Sequence, residues 1–521
     1  MIYRLMLDEK RCFGAGNSLA FLSPSTKHDS GASSFQFHLG FLRREVFVLL
    51  LFLIGPVHSL WSQSPGATTI LTEDAFLEWV RQHHPYALQA SLLPQQADAK
   101  LMKARGGFDP KLESEIDQKN FDGKRYYHLA NGGFKVPTWY GLEVKGGYEW
   151  TDGLFLSPER KLPSIGQAVL GVSANLFQGL LIDQRRADLQ KAKIGQQASQ
   201  VERQQVLNDL LMRAGTAYWE WVLAFNEWTI YQRSRQFAMQ RFEGIRESFF
   251  QGDKAAVDTL ESWIQVQTWE NQVLQAQLDY QKAGFELSNF LWLEQSVPLE
   301  ITPTLQPPLL ETLLVQELPD GLLAENLAAL GATQPSLQLY QYKLAELEVD
   351  RRLKTDKLKP NIKLEYHLLG NGFDFSGNEG QNGSTVSQLF GQNYKWGASL
   401  SFPLFLRKER GDIELANLKI KENEYQLDQK QLEWRNKLAS YFYSLQNMAE
   451  QVGRLQDMVA DYQTLLQAEI EKFNIGESSI FLLNTREQSL LKSQLSLAKL
   501  RASWHKSQLG LEWARGSLGV Q

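Results

Sequence analysis

The chain has 521 residues, enough for two or three ordinary domains or for one body built from very long elements. Its 54 basic and 59 acidic residues give a net charge of -5, so there is no global basic field to neutralise phosphates, and a nucleic-acid partner is disfavoured. A single cysteine, Cys12, leaves neither an internal disulfide nor a thiolate metal site, which excludes redox chemistry.

In chain order, the first feature is the apolar run Val46 to Gly55, preceded by Arg43 and Arg44 and followed by small residues toward Ser62. A basic flank, an apolar core too short to span a bilayer and a small-residue stretch are the features of a secretory signal, which makes residues 1–62 a leader. The alternative is a short buried helix. About forty residues precede the run where a handful is usual, so the start lies downstream of Met1 or the leader is atypical. No cysteine follows to accept a lipid, and no later run reaches about eighteen apolar residues. An exported chain of this kind can enter a membrane only as β-strands.

Beyond the leader the chain reads as two copies of one plan. Pro85 and Pro335, and likewise Pro110 and Pro360, are 250 residues apart; each pair brackets a helix opened by one proline and stopped by the other. Leu176-Phe177 recurs as Leu404-Phe405 at a spacing of 228, and Gly252 as Gly476 at 224. The copies span 72–293 and 334–518. Between them, 294–333 carries Pro298, Pro303, Pro307, Pro308 and Pro319, which break any continuous helix and mark a linker packed on the side of the body.

Strict alternation of apolar and polar residues predicts strands at Tyr140 to Trp150, Asn361 to Leu368 and Tyr394 to Phe402, with weaker candidates at Lys111 to Lys119 and Ala168 to Phe177. A soluble sandwich produces the same alternation. The secretory signal, the strand lengths and the aromatics Tyr140, Tyr148, Trp150, Tyr366, Tyr394, Trp396 and Phe402 favour a transmembrane barrel with these rings toward lipid. The first strand region is 22 residues longer than the second (66 from Pro110 to Leu176, 44 from Pro360 to Leu404), room for an external loop or an extra strand pair.

The helices are long. From about Lys408 to Phe473 no proline occurs, which at 1.5 Å per residue is about 100 Å. Leu445, Ala449, Val452, Leu455, Val459, Tyr462, Leu466, Ile470 and Phe473 form a coiled-coil seam. The first copy repeats this from about Asp183 to Phe250 and returns through Leu260, Ile264, Val273, Leu274 and Leu278. Gly252 and Gly476 end the outgoing helices with the left-handed cap of a hairpin tip. The eight histidines show no metal-binding spacing, His83 and His84 being adjacent, and no nucleophile elbow or phosphate loop occurs, so neither catalysis nor a cofactor is indicated.

These residues carry a resemblance. From about Thr72 to Leu518 the chain is similar to the TolC-type outer-membrane efflux proteins. The matching signatures are Ala104-Arg105 to Pro110, Asn175-Leu176-Phe177, Phe402-Pro403-Leu404-Phe405, and the tips Phe249 to Gly252 and Phe473 to Ser479. The resemblance implies an α+β membrane protein in which long coiled-coil helices form a trimeric α-barrel beneath a shared barrel of twelve strands, four per chain. It implies a homotrimer in outer-membrane lipid that extends into the periplasm, with a periplasmic adaptor and an inner-membrane transporter as partners. Such a protein is a passive exit duct of tripartite efflux or type I secretion; a periplasmic or surface coiled-coil scaffold with a small soluble β-domain is the alternative. Carried over by position, Gly252, Asp253, Ala256, Gly476, Ser478 and Ser479 become adaptor-docking positions. Where some members hold acids beyond the second tip this chain has Leu482 and Thr485, and Asp258 and Glu261 take the equivalent places after the first tip as candidates for a pore constriction. Exposed tunnel-wall carboxylates are the other reading of those two residues.

Overall fold

The computed structural model describes residues 69–302, 304–319, 321–371 and 393–520. The leader with its apolar run, Cys12 and Pro303 lie outside them. Pro65–Gln521 forms one compact unit, to which all that follows refers.

Among the described residues, eight helices and one large sheet make up the body. The helices are α1 (Glu73–His83), α2 (Pro85–Arg105), α3 (Gln184–Phe250), α4 (Ala256–Ser288), α5 (Leu322–Thr333), α6 (Pro335–Asp356), α7 (Arg407–Asn474) and α8 (Ile480–Arg515). The duplication is visible at the helix starts. Pro85 and Pro335 both occupy the first turn, and the residues before them, His84 and Gln334, both turn their side chains back to accept the backbone N–H two residues on, at 3.1 and 3.4 Å.

The sheet has six strands: β1 (Lys111–Phe121), β2 (Lys124–Pro137), β3 (Leu142–Asp152), β4 (Gln167–Asn175), β5 (Asn361–Asn371) and β6 (Tyr394–Ser401). They lie in the order β1-β2-β3-β4-β5-β6, every neighbour antiparallel. This corrects the four strands per chain expected from the resemblance: the longer first region holds an extra pair. Tyr140 is also moved, from a strand to the turn after Pro137, because Gly141 at φ +81° closes that turn before β3 begins. Phe402 follows β6 directly.

The registers put most of the apolar residues on one face, with Leu129, Val169 and Leu369 as exceptions. One cross-strand row runs Val136, Val144, Val172, Tyr366, Trp396, and the next runs Leu112, Phe134, Gly146, Leu170, Leu368, Tyr394. The opposite face carries Glu113, Glu115, Asp117, Lys135, Lys145, Lys363, Glu365 and Lys395, in keeping with the two-residue period. No second layer covers the apolar face: the other strand pairings among the described residues are two residues long. A sandwich would bury this face, yet Leu112 stays 87% and Trp396 67% exposed.

Two helical layers continue from the sheet. Next to it the packing order is α2–α3–α6–α7, and farther away it is α4–α3–α8–α7. The core is a string of small clusters along these helices. One joins Leu337, Trp434, Leu438, Leu445 and Trp504, and another joins Ala238, Val266, Trp269 and Leu491. At the joint with the sheet, buried Asp356 accepts the Gly179 N–H at 2.5 Å and pairs with Lys359. The proline-rich linker lies against α3 and α8: Asn226 accepts the Leu310 N–H at 2.9 Å, and Arg501 donates to the Leu310 carbonyl at 2.8 Å.

Candidate functional site: the helical tips and the apolar sheet face

The two tips close by the same bonds. At the first, Gly252 at φ +88° lets its N–H reach the Phe249 carbonyl (3.0 Å) while the Asp253 N–H reaches that of Ser248 (2.9 Å). At the second, Gly476 at φ +84° repeats the pair with Phe473 (3.2 Å) and, through the Glu477 N–H, Lys472 (2.9 Å). This double bond satisfies the last carbonyls of α3 and α7 and requires a left-handed residue, hence glycine.

The helices that leave the tips start differently. Ser479 caps α8 by accepting the Leu482 N–H at 3.3 Å. Ala255 stands at the matching place before α4 and offers no side-chain cap. Asp258 lies in that first turn, where its charge complements the unsatisfied N–H groups.

Of the tip residues singled out from sequence, Gly252, Asp253, Ala256, Gly476 and Ser479 are exposed. Ser478 is not free: its hydroxyl bonds to the buried Glu469 carboxylate, which Arg486 also approaches at 3.7 Å. Glu261 accepts a hydrogen bond from Asn484 of α8 at 3.4 Å, so it serves the contact between the hairpins. Exposed apolar side chains surround these positions: Phe250, 78% exposed, and Ile475 belong to the tip signatures, whereas Val257 and Phe481 were not singled out from sequence. Val257 and Phe481 each lie five residues past a tip glycine, the one signal of this cluster that the duplication offers.

The hairpins hold each other just behind the tips. Ile245 packs with Ile480 and Leu483, and the Lys254 ammonium sits 4.1 Å from the Phe473 ring centre. Arg241 of α3 and Glu487 of α8 pair at 2.5 Å with side chains only 15% and 8% exposed. A groove of about 830 Å³ runs beside this pair between α3, α7 and α8, from Phe473 to the linker at Leu310. Strongly shifted groups lie elsewhere. Burial pushes the Glu73 carboxyl up to about 7 although Trp219 donates to it at 2.8 Å, and burial with Arg501 nearby lowers His505 to about 4. Among the described residues no cluster of His, Cys, Asp or Glu could hold a metal ion.

On the sheet, Tyr366 and Tyr394 stack at 5.8 Å on the apolar face. Tyr148 and Trp150 share that face and bond to the carbonyls of Ile165 and Ser164, the latter at 3.3 Å, tying down the loop before β4. No helix among the described residues is long and apolar enough to cross a membrane.

The described residues thus form a one-layer sheet with a continuous apolar face, joined to helices of 67 and 68 residues. Residues 352–517, within the second repeat, match the family model described as Outer membrane efflux protein. No curated protein matches it by sequence. Its fold is that of solved outer-membrane channels. CusC superposes with a TM-score of 0.61 at 15% identity, covering 88% of this chain and 95% of its own. The CmeC outer membrane channel of Campylobacter jejuni gives 0.58 at 12%, covering 88% and 90%. The open state of the MtrE outer membrane channel of Neisseria gonorrhoeae gives 0.60 at 14%, covering 86% and 89%.

Proposed function

We propose that the chain is the outer-membrane exit duct of a tripartite efflux or type I secretion machine, a passive conduit that works as a homotrimer. The observation that carries this is the apolar face, continuous across all six strands and exposed in the single chain, which only lipid would cover without a second layer. In this reading copies 72–293 and 334–518, joined by 294–333, each supply strands to a barrel in the outer membrane and helices to a tunnel about 100 Å long in the periplasm.

A second observation supports more than one copy of the chain. Helices α4 and α7 flank the layer nearest the tips, and both present unpartnered apolar stripes. On α4 these are Leu260, Ile264, Leu274 and Leu278, read from sequence as part of a coiled-coil seam; on α7, in its half nearer the sheet, they are Leu418, Tyr425 and Leu432. Neighbouring copies would cover them as the seam of a coiled coil is covered. The tips around Gly252 and Gly476, with Phe250, Ile475 and Phe481, would receive a periplasmic adaptor that couples the duct to an inner-membrane transporter. Asp258 and Glu261 are the constriction candidates.

Membrane fractionation followed by electrophoresis with and without boiling tests the proposal. A heat-modifiable trimer in the outer-membrane fraction is expected. A soluble monomer released by salt would overturn it.

A further inference from the structure

The sheet ends in two open edges, β1 and β6, whose outward N–H and C=O groups have no partner within the sheet. Inside a bilayer such edges are not tolerated, because each unpaired group costs several kcal/mol. The edges lie on opposite sides of the body, β1 continuing into the side made by α2 and α4, and β6 into the side made by α7. One copy therefore presents to the next a complementary edge along its whole length. Building on the trimeric-duct reading, we infer that β6 of each copy pairs with β1 of the next in the register Leu400 opposite Ile116, and that three copies close a barrel of eighteen strands.

The register comes from the duplication. Within the chain the last strand of the first copy, β4, pairs with the first strand of the second, β5, with Gly171 opposite His367, Val172 opposite Tyr366 and Ser173 opposite Glu365. The repeat carries β4 onto β6 at a spacing of 228 and β5 onto β1 at 250. Applied to both partners, this predicts Ser399 opposite Asp117, Leu400 opposite Ile116 and Ser401 opposite Glu115. Nothing in that step refers to which face a residue occupies, yet it places apolar Leu400 beside apolar Ile116 and the polar residues on the other face. A slip of one residue would have reversed this.

The extra pair also matches the dimensions of the helical wall. Six strands about 4.8 Å apart, tilted by about 40°, cover about 37 Å of circumference per copy. The four helices of the layer beneath, spaced at 8–10 Å, cover roughly 32–40 Å. Four strands would cover only about 25 Å. The membrane segment of this duct is thus as wide as its periplasmic segment, in the size range where barrels enclose an aqueous channel.

Cysteine pairs test the seam in a chain with no native cysteine after Cys12. Asp117→Cys with Ser399→Cys should give covalent trimers on oxidation, since disulfides need Cα atoms within about 7 Å. Glu113→Cys with Ser399→Cys, about 13 Å out of register, should not. Spin labels test the extra pair: at Ala130→Cys the label should be reached by oxygen more than by a water-soluble nickel complex, and at Asn131→Cys the order should reverse. Intact trimers that cross-link only in the shifted pair overturn the register. Nickel access at both labels places β2 and β3 outside the wall and leaves twelve strands. Absence of any trimer from the unmodified chain would instead defeat the duct reading itself.

Discussion

The two copies of the repeat agree where geometry leaves no choice and differ where it does. Both tips keep glycine and the same two closing hydrogen bonds, and both sheet joints keep Leu-Phe. The first copy has four strands and an uncapped return helix; the second has two strands and a serine cap. Paired main-chain groups and left-handed turns are conditions for having a hairpin at all, whereas strand number and capping can drift if a neighbour compensates.

The copies are held together behind the tips by Arg241 and Glu487, and breaking that contact should have the largest effect. Arg241→Ala leaves a buried carboxylate unpaired, which costs about 3–5 kcal/mol. A clear fall in melting temperature of the detergent-solubilised protein is expected. The double change Arg241→Met with Glu487→Met should recover much of the loss, because it removes both charges; no recovery would show that the pair is not the source.

Next come matched positions on the sheet. Ile116 of β1 and Tyr366 of β5 occupy equivalent places 250 residues apart on the apolar face. Ile116→Lys and Tyr366→Lys should each weaken membrane folding by about 2–4 kcal/mol, measured as the yield of heat-modifiable protein across a denaturant series. Their neighbours on the polar face, Asp117→Ser and His367→Ser, should change it little. If lysine is harmful at Tyr366 and harmless at Ile116, the first copy's strand is not part of the lipid-facing wall.

Much of this architecture was legible in the sequence because its signals are periodic. The long helices follow from proline-free runs, and β5 and β6 from clean alternation. Strand β2 left no such signal: Ala130, Gly132 and Gly133 give it little apolar contrast, and it is identified by the pairing its neighbours impose. Tyr140 read as a strand residue because the alternation continues through it, while Gly141 breaks the backbone. The setting of the 14 tryptophans is not legible in the sequence: Trp396 stays exposed on the sheet, whereas Trp219, Trp221, Trp269, Trp434 and Trp504 are buried among the helices. At the tips, glycine was visible from sequence, but that Ser478 turns inward to Glu469 and Glu261 bonds to Asn484 depends on helices distant in the chain.

The glycines should be nearly equal. Gly252→Ala and Gly476→Ala each force a side chain into the left-handed region, at a cost of about 1–2 kcal/mol per site. Neither added methyl group meets any atom within 4 Å, so backbone strain is the whole effect. Thermal melts of the two variants should shift by similar amounts; a marked inequality would mean that one tip is supported from elsewhere in the assembly.

The smallest effects separate two meanings of Asp258. If it serves α4 as the charge that an uncapped helix start lacks, restoring the cap makes it dispensable. Ala255→Ser should then stabilise the first tip by about 0.5–1 kcal/mol, as Ser479→Ala should weaken the second by about 1 kcal/mol. Asp258→Asn should cost about 0.3–1 kcal/mol alone, and less in the Ala255→Ser background. A constriction role makes a different demand: Asp258→Asn would lower cation selectivity in single-channel recordings equally in both backgrounds, since a field in the pore does not depend on the cap. A loss of stability that the new serine repairs, with selectivity unchanged, would assign this acid to the helix and leave Leu482 in the second copy explained, because Ser479 already caps α8 there.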